Sequence, residues 1–339
     1  MKKTYNVGII GLGIGLNHFD SFYKNKNTKI YAVCDFNKKK LKKIKKKYPN
    51  IIVSDQADDL LTMNAIDIIS LASYDNYHYN QLKLAIQNGK HVFVEKPMCL
   101  NNSELKKIYK LKSKYSKNII SSNMVLRANP RFVYIKKLFD QKKLGKLIYS
   151  EADYFWGRFH KLSQWRSKIK NYSLLLGASV HLIDLIIWIL NQRPVKVIAF
   201  GNRIGATKAM INSSTFSSIK LIFKDDLIIN VNAHGLSIHP HYHSLKFFTT
   251  TKTIIHQFSD SYMINKHNLN KKITLKQPYP FRENRHKIID SFVNKIVSKK
   301  EDNFFVSFNN MLDTMNICLA AIKSEKTGKK ITIKYNHFQ

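Results

Sequence analysis

Apolar positions in the first third of the chain form short continuous runs: "YNVGII", "KIYAVC", "AIDIISLAS" and "HVFV". Between them lie "HFDSFYKN", a lysine-rich stretch and "YNQLKLAIQNG", in which apolar residues recur three or four apart. Continuous runs mark strands buried on both faces, and the intervening period marks amphipathic helices. Strands alternating with helices imply right-handed crossovers and a parallel sheet. "NSELKKIYKLKSKY" predicts a further helix capped by Asn102 or Ser103, and "NIISSNMVL" a further strand. A parallel α/β domain is thus expected over residues 1–123.

Beyond Asn123 the pattern changes. A helix is predicted from Pro130 to Gln141 and a strand over "KLIYSEADYFWGRF". "KVIAFGNRI", "FSSIKLIFKDDLIINVNAHG", "HSLKFFTTTKTIIHQFS" and "KKITLKQP" read as consecutive antiparallel strands, and helices are predicted over Glu283–Ser298 and Ser307–Ser324. Residues 124–339 should therefore form an α+β domain with a large, open, mostly antiparallel sheet. The most apolar stretch is "SLLLGASVHLIDLIIWIL", Ser173 to Leu190. At 18 residues it would barely span a bilayer, and His181 and Asp184 would sit near the centre, where a charge costs about 3 kcal/mol. A soluble helix is the better reading, and no membrane partner is expected.

Charge complicates this picture. The 339 residues carry a formal net charge of +35, which invites a nucleic-acid or polyanion partner. Yet 49 of the 57 basic residues are lysine, whereas base readers lean on arginine. The densest run, Lys38 to Tyr48, keeps Leu41, Ile44 and Tyr48 at helical spacing, as a lysine-coated amphipathic helix would. Compositional bias explains the charge better than a nucleic-acid partner. Cys34, Cys99 and Cys318 are too few and too scattered for a disulfide framework, which fits a reducing cytoplasm. "MKKTYNVGIIGLG" reads as strand and turn, not as a secretory leader.

Candidate chemistry begins at "VGIIGLGIGLNH". Gly11, Gly13, Ile14 and Gly15 follow a strand and open a helix. Gly11 permits the tight turn, and Gly13 lets the backbone approach a pyrophosphate at the helix N-terminus. The third glycine of such a fingerprint should fall at Leu16; Gly15 lies one residue early. Asp35 closes the second strand, where an acid can bind both ribose hydroxyls of NAD. Lys38 and Lys39 close behind leave NADP open. In "HPHYH", His239, His241 and His243 alternate, so a strand could present all three on one face, but Pro240 distorts it and no metal is expected. Tyr154, Trp156 and Arg158 also alternate, with His160, Trp165 and Arg166 following. Their aromatic faces suit a sugar ring, and the guanidinium groups of Arg158 and Arg166 suit a carboxylate or phosphate. An aromatic face packed at a subunit interface is equally consistent.

"GKHVFVEKPMCLN", with "GLGIGLNH", "CDFN", "LASYDNYH" and "GASVHLIDL", resembles the Gfo/Idh/MocA oxidoreductase family, and the late helices are similar too. The resemblance implies a Rossmann domain followed by an open-sheet substrate domain, and a homo-oligomer, dimer or tetramer. It implies hydride exchange between NAD(P) and a secondary alcohol or ketone of a sugar, polyol or nucleotide-sugar derivative. It places Glu95 and Lys96 beside the nicotinamide, with Lys96 also on the reacting hydroxyl or carbonyl, Ser73 and His78 in the loop lining the cofactor cleft, and His181 as acid/base, with Asp184 one turn further along as a further catalytic residue facing the substrate. One departure stands out: Gly177 occupies the place, four residues before His181, where the family commonly has an aspartate. That motivates an alternative, a non-catalytic dinucleotide- or sugar-binding regulator.

Overall fold

The computed structural model describes residues 3–170, 172–206 and 213–335. They divide into two compact units, residues 3–128 with Glu283–Leu312, and Asn129–Arg282 with residues 313–335.

In the first unit the chain runs β1 (Tyr5–Ile10), α1 (Gly15–Lys24), β2 (Thr28–Cys34), α2 (Lys38–Lys47), β3 (Ile52–Ser54), α3 (Ala57–Thr62), β4 (Ile68–Leu71), α4 (His78–Gln87), β5 (His91–Val94), α5 (Asn102–Lys114) and β6 (Ile120–Ser122). All six strands pair in parallel in the order β3-β2-β1-β4-β5-β6. The order reverses between β1 and β4, the point at which doubly wound sheets bind ligands. Val7, Ile9, Ile68, Ile69, Val92 and Phe93 are fully buried, as continuous apolar runs require. On α2 only Leu41 is buried, so its lysines face solvent. The short elements β3 and α3 carry too little apolar periodicity to stand out in the sequence.

The second unit contains α6 (Pro130–Asp140), β7 (Leu147–Phe155), α7 (Val180–Leu190), β8 (Lys196–Asn202), β9 (Phe216–Ile222), β10 (Ile228–His234), β11 (Tyr242–Thr249), β12 (Lys252–His256), β13 (Ser261–Asn265) and β14 (Asn268–Thr274). After α8 (His286–Ser298) and α9 (Phe308–Thr327), β15 (Ile331–Thr332) adds an edge to the same sheet. The nine strands are ordered β14-β13-β12-β11-β7-β10-β9-β8-β15. The long "FSSIKLIFKDDLIINVNAHG" run is broken at Lys224–Asp226, where Asp225 and Asp226 adopt positive φ, giving the β9–β10 hairpin. One pairing departs from expectation: β10 runs parallel to β7, so the sheet is mixed.

The expected continuous second domain is also corrected. Glu283–Leu312 belongs to the first unit. The reason is apolar: α8 buries Ile288, Ile289, Phe292, Val293 and Ile296, and the Phe292 ring meets Phe93 of β5 at 5.5 Å. Asn25, after α1, donates to Asp290 on α8 (2.6 Å).

The stretch from Ser173 to Leu190 is a helix that begins with a π-turn over Leu175–Ser179 and continues as the 11-residue α7. Among the described residues, no helix is long and apolar enough to cross a membrane.

Candidate active site

The glycine turn is built as its spacing predicts, with one shift. Gly11 has φ +93°, and a Cβ there would strike the Ala72 carbonyl. Gly13 has open space where a Cβ would stand. Gly15 begins α1, and a Cβ on it would lie 3.1 Å from Ala72 Cβ and 3.3 Å from Ile9 Cγ2. It therefore serves the close helix–sheet packing assigned to a third glycine, one residue early. Ile14 (44%) and Leu16 (42%) are exposed, and no side chain caps the helix N-terminus. The turn thus offers an open cradle and unclaimed backbone donors, which fit a dinucleotide pyrophosphate.

Asp35 ties β2 to this turn. Its Oδ2 accepts from Leu12 N (2.6 Å) and Lys40 Nζ (3.3 Å), and its Oδ1 from Asn37 N (2.8 Å). Oδ1 retains a lone-pair site for a hydroxyl. Lys40, which the sequence did not single out, is the lysine at the carboxylate; Lys38 pairs with Asp55 at 3.4 Å.

Glu95 is turned inward. Its Oε1 accepts from His18 Nε2 (3.0 Å) and Asn123 Nδ2 (2.5 Å), while Ser70 Oγ lies 2.9 Å from His18 Nδ1. Burial opposes ionisation, but the hydrogen bonds from His18 and Asn123 and the nearby charges of His18 and Lys96 prevail, holding the carboxyl at about 2. Its Oε2 accepts from Lys96 N (3.3 Å), so Glu95 also braces the Lys96 turn. His18 and Asn123 were missed as site residues; the only sequence signals were the "NH" after the glycine turn and the polar end of β6.

His78 is likewise corrected. It is fully buried at the start of α4, with Nδ1 at 2.8 Å from the Pro97 carbonyl and Nε2 at 3.2 Å from the Ser73 carbonyl. It clamps the loop after β4 to the Lys96–Pro97 turn and has no surface left for a cofactor. Ser73 donates through Oγ to Gln81 (2.6 Å). Lys96 is half-buried.

In the second unit, Tyr154 and Trp156 alternate toward the inner side of the sheet, and the Tyr154 ring lies parallel to His181 (5.9 Å, 6°). The "HPHYH" trio is divided. His241 and His243 pack edge-on against Tyr154 (5.4 and 4.7 Å), whereas His239 stacks on Phe155 (4.0 Å), the outward residue of β7. Pro240 keeps His239 out of β11, which begins only at Tyr242. No group of three metal-ligating side chains occurs among the described residues. Trp156 Nε1 donates to the Arg158 carbonyl (3.0 Å), Arg158 Nη2 donates to His241 Nε2 (2.7 Å), and Arg166 lies over Trp156 (5.5 Å) and Trp165 (4.1 Å). Ring contacts and hydrogen bonds thus link Tyr154, Arg158, Trp165, Arg166 and His181 within the second unit.

Asp184, also expected at the site, has a hydrogen-bond partner on α9. It is 1% exposed and accepts from Thr314 Oγ1 (3.3 Å).

Gly177 lies within the π-turn, and a Cβ there would collide with the Tyr172 hydroxyl and stand 3.3 Å from Trp156. The aspartate's place is filled by a buried phenol, which sequence spacing could not reveal because Tyr172 lies before the helix. Single π-turns concentrate at functional sites, and this one ends two residues before His181.

Residues 5–123 match the oxidoreductase family model with the NAD-binding Rossmann fold, and residues 132–255 match the GFO/IDH/MocA C-terminal domain. An inositol 2-dehydrogenase/D-chiro-inositol 3-dehydrogenase of Lactiplantibacillus plantarum is 24% identical over 198 residues, 57% of this chain and 55% of that one. The chain thus spans just over half the length of that curated relative. Over the whole fold, the crystal structure of myo-inositol 2-dehydrogenase from Lactobacillus plantarum superposes with TM-score 0.83 at 22% identity, covering 98% of this chain and 100% of that one. Scyllo-inositol dehydrogenase from Lactobacillus casei, solved with NAD(H) and scyllo-inositol, gives 0.80 at 20% identity, covering 97% and 99%. With both domains matched in order, the chain belongs to the Gfo/Idh/MocA family of oxidoreductases, and its N-terminal domain is an NAD-binding Rossmann fold.

Proposed function

We propose that this protein is an NAD-dependent dehydrogenase or reductase acting on a CH–OH group of a sugar, polyol or sugar derivative. The observation that carries the reading is His181 beside Tyr154 at the start of a helix opened by a π-turn, in a chain whose glycine turn is shaped for a dinucleotide. Gly11, Gly13 and Ile14 would receive the pyrophosphate and Asp35 a ribose hydroxyl. An acid at the end of β2 favours NAD over NADP. The bound nicotinamide supplies acceptance and return of hydride. His181 takes the proton of the reacting hydroxyl and gives it back in the reverse direction, as a neutral imidazole can. Lys96 stabilises the developing charge on the oxygen and orients it. Glu95, His18 and His78 hold the Lys96 turn. Tyr154 offers an aromatic face to the sugar. Relatives named as inositol dehydrogenases support the polyol class.

The test is NADH absorbance with purified protein over polyols, free sugars and sugar acids. On a working substrate, His181→Ala should lower kcat by about 10²- to 10⁴-fold, the usual worth of general acid–base catalysis. Unchanged turnover would remove His181 from the reaction. Gly177 favours a second reading, a non-catalytic binder. NAD and sugar binding in calorimetry, with no turnover of any sugar that binds, would select it.

The homo-oligomer is proposed on the outer sheet face, where Phe200 (54%) and Ile228 (41%) are exposed on β8 and β10. A second copy would cover it, and sedimentation of the purified chain as a monomer would reject this.

A further inference from the structure

Three cations follow β7 within nine residues: Arg158, Lys161 and Arg166. None of them forms an ion pair among the described residues. The acids of β7 itself are engaged elsewhere: Asp153 accepts from Asn232, Ser244 and His234, and Glu151 from Lys246 and Tyr149. The three charges feel one another. Burial pushes the Lys161 ammonium down first, and the Arg158 and Arg166 charges push it further. Like charges held together without an acid cost free energy, which an incoming anion would reverse.

The guanidinium groups are aimed and incomplete. The Nε–H of Arg158 and that of Arg166 are both buried, and neither meets a protein acceptor. Buried donors normally find partners, and those that do not call for an explanation. Arg158 is held from one side only: His241 donates its Nδ1–H to the Trp156 carbonyl (2.8 Å) and so accepts from Arg158 through Nε2. The imidazole is therefore neutral and adds no charge of its own. Arg166 is spread over Trp156 and Trp165, a stack that fixes its plane while leaving its edge for an acceptor. Both arginines reach His181 through the same ring: Arg158 by way of His241 and Tyr154, Arg166 by way of Trp156 and Tyr154.

We infer that the substrate carries an anionic group, a carboxylate or phosphate, which Arg158, Lys161 and Arg166 bind beside the sugar-facing rings of Tyr154 and Trp156. This rests on the dehydrogenase reading for its account of His181, but the binding itself does not. A sugar acid or a phosphorylated sugar fits; a neutral inositol leaves the three cations without a partner.

The test uses the full chain with and without added NAD and follows fluorescence, since Trp156 and Trp165 both flank Arg166. The probes are D-glucuronate, glucose 6-phosphate and UDP-glucose against D-glucose and myo-inositol. At least one anionic probe should bind about 30-fold more tightly than the neutral ones, the worth of one or two charge-assisted hydrogen bonds. The leading probe separates carboxylate from phosphate. Arg158→Gln with Arg166→Gln should erase the preference, and the single Arg→Lys variants should keep part of it. Should the double variant fail to melt cooperatively, the Lys variants carry the comparison. Equal binding of neutral probes, no binding of any probe, or a preference surviving the double variant overturns the inference. NAD affinity is measured on the same samples. Anion preference without NAD binding would defeat the dehydrogenase reading alone, and NAD binding without anion preference would defeat this inference alone.

Discussion

The Tyr172 hydroxyl rests against the bare Cα of Gly177, inside the volume that any side chain at 177 would need. Restoring the family's aspartate should therefore not rescue a missing carboxylate. Gly177→Asp must push aside a phenol and an indole, both buried, so it should destabilise the fold by about 1–3 kcal/mol, as overpacking does. Urea unfolding measures the loss, and kcat on a working substrate should not rise. A stable, faster variant would contradict this.

The two open-turn glycines should behave differently. Gly11→Ala places a side chain at φ +93° against a carbonyl and should cost about 1–3 kcal/mol of stability. Gly13→Ala meets no protein atom, so thermal unfolding should barely move. Its new methyl group intrudes where the pyrophosphate would lie, and NAD affinity should fall about tenfold or more, as a loss of about 1.4 kcal/mol would give. Calorimetry with NAD on both variants reads this split; equal NAD affinity for Gly13→Ala and the parent protein would remove the turn from the cofactor site.

Glu95 links stability to acid. Its folded value of about 2 lies below the ordinary 4.5, so its contribution is complete above 4.5 and is lost as pH falls from there towards about 2. Glu95→Gln should lose about 1–3 kcal/mol at neutral pH, the penalty for a weakened buried network. Across that acid window the variant's stability should fall less steeply than the parent's. Denaturant midpoints measured through the window decide it; parallel curves would mean that Glu95 is not the group.

Asp184 should act through α9. Thr314→Val and Asp184→Ala should each cost about 1–3 kcal/mol, and the double variant should cost less than their sum, because both remove the same hydrogen bond. The pH profile of turnover should stay with His181 in all three. A profile displaced by Thr314→Val would return Asp184 to the chemistry.

Legibility followed the range of the physics involved. The strands of the first unit, the glycine turn and Asp35 announce themselves through local hydrophobic runs and φ requirements, and Tyr154 and Trp156 through alternation. Lys96 and His181 needed the resemblance, since a lone lysine or histidine has no local signature. What stayed hidden depends on contacts distant in sequence. Glu95 reads as a ligand until His18, 77 residues away, is seen holding it. Nothing near Asp184 in the sequence points to Thr314, 130 residues on, which donates to it. The parallel β7–β10 pair could not be read from strands that otherwise alternate as an antiparallel sheet does.

The return of α8 to the first unit has a consequence for the order in which this protein can be made. Ile288, Ile289 and Phe292 complete a surface whose other half, including Phe22 and Phe93, has left the ribosome some two hundred residues earlier. Until they arrive, the nucleotide-binding unit carries an uncovered apolar flank. A nascent chain cut short after residue 128 would keep that flank exposed and would be a ready client for chaperones, or a seed for aggregation.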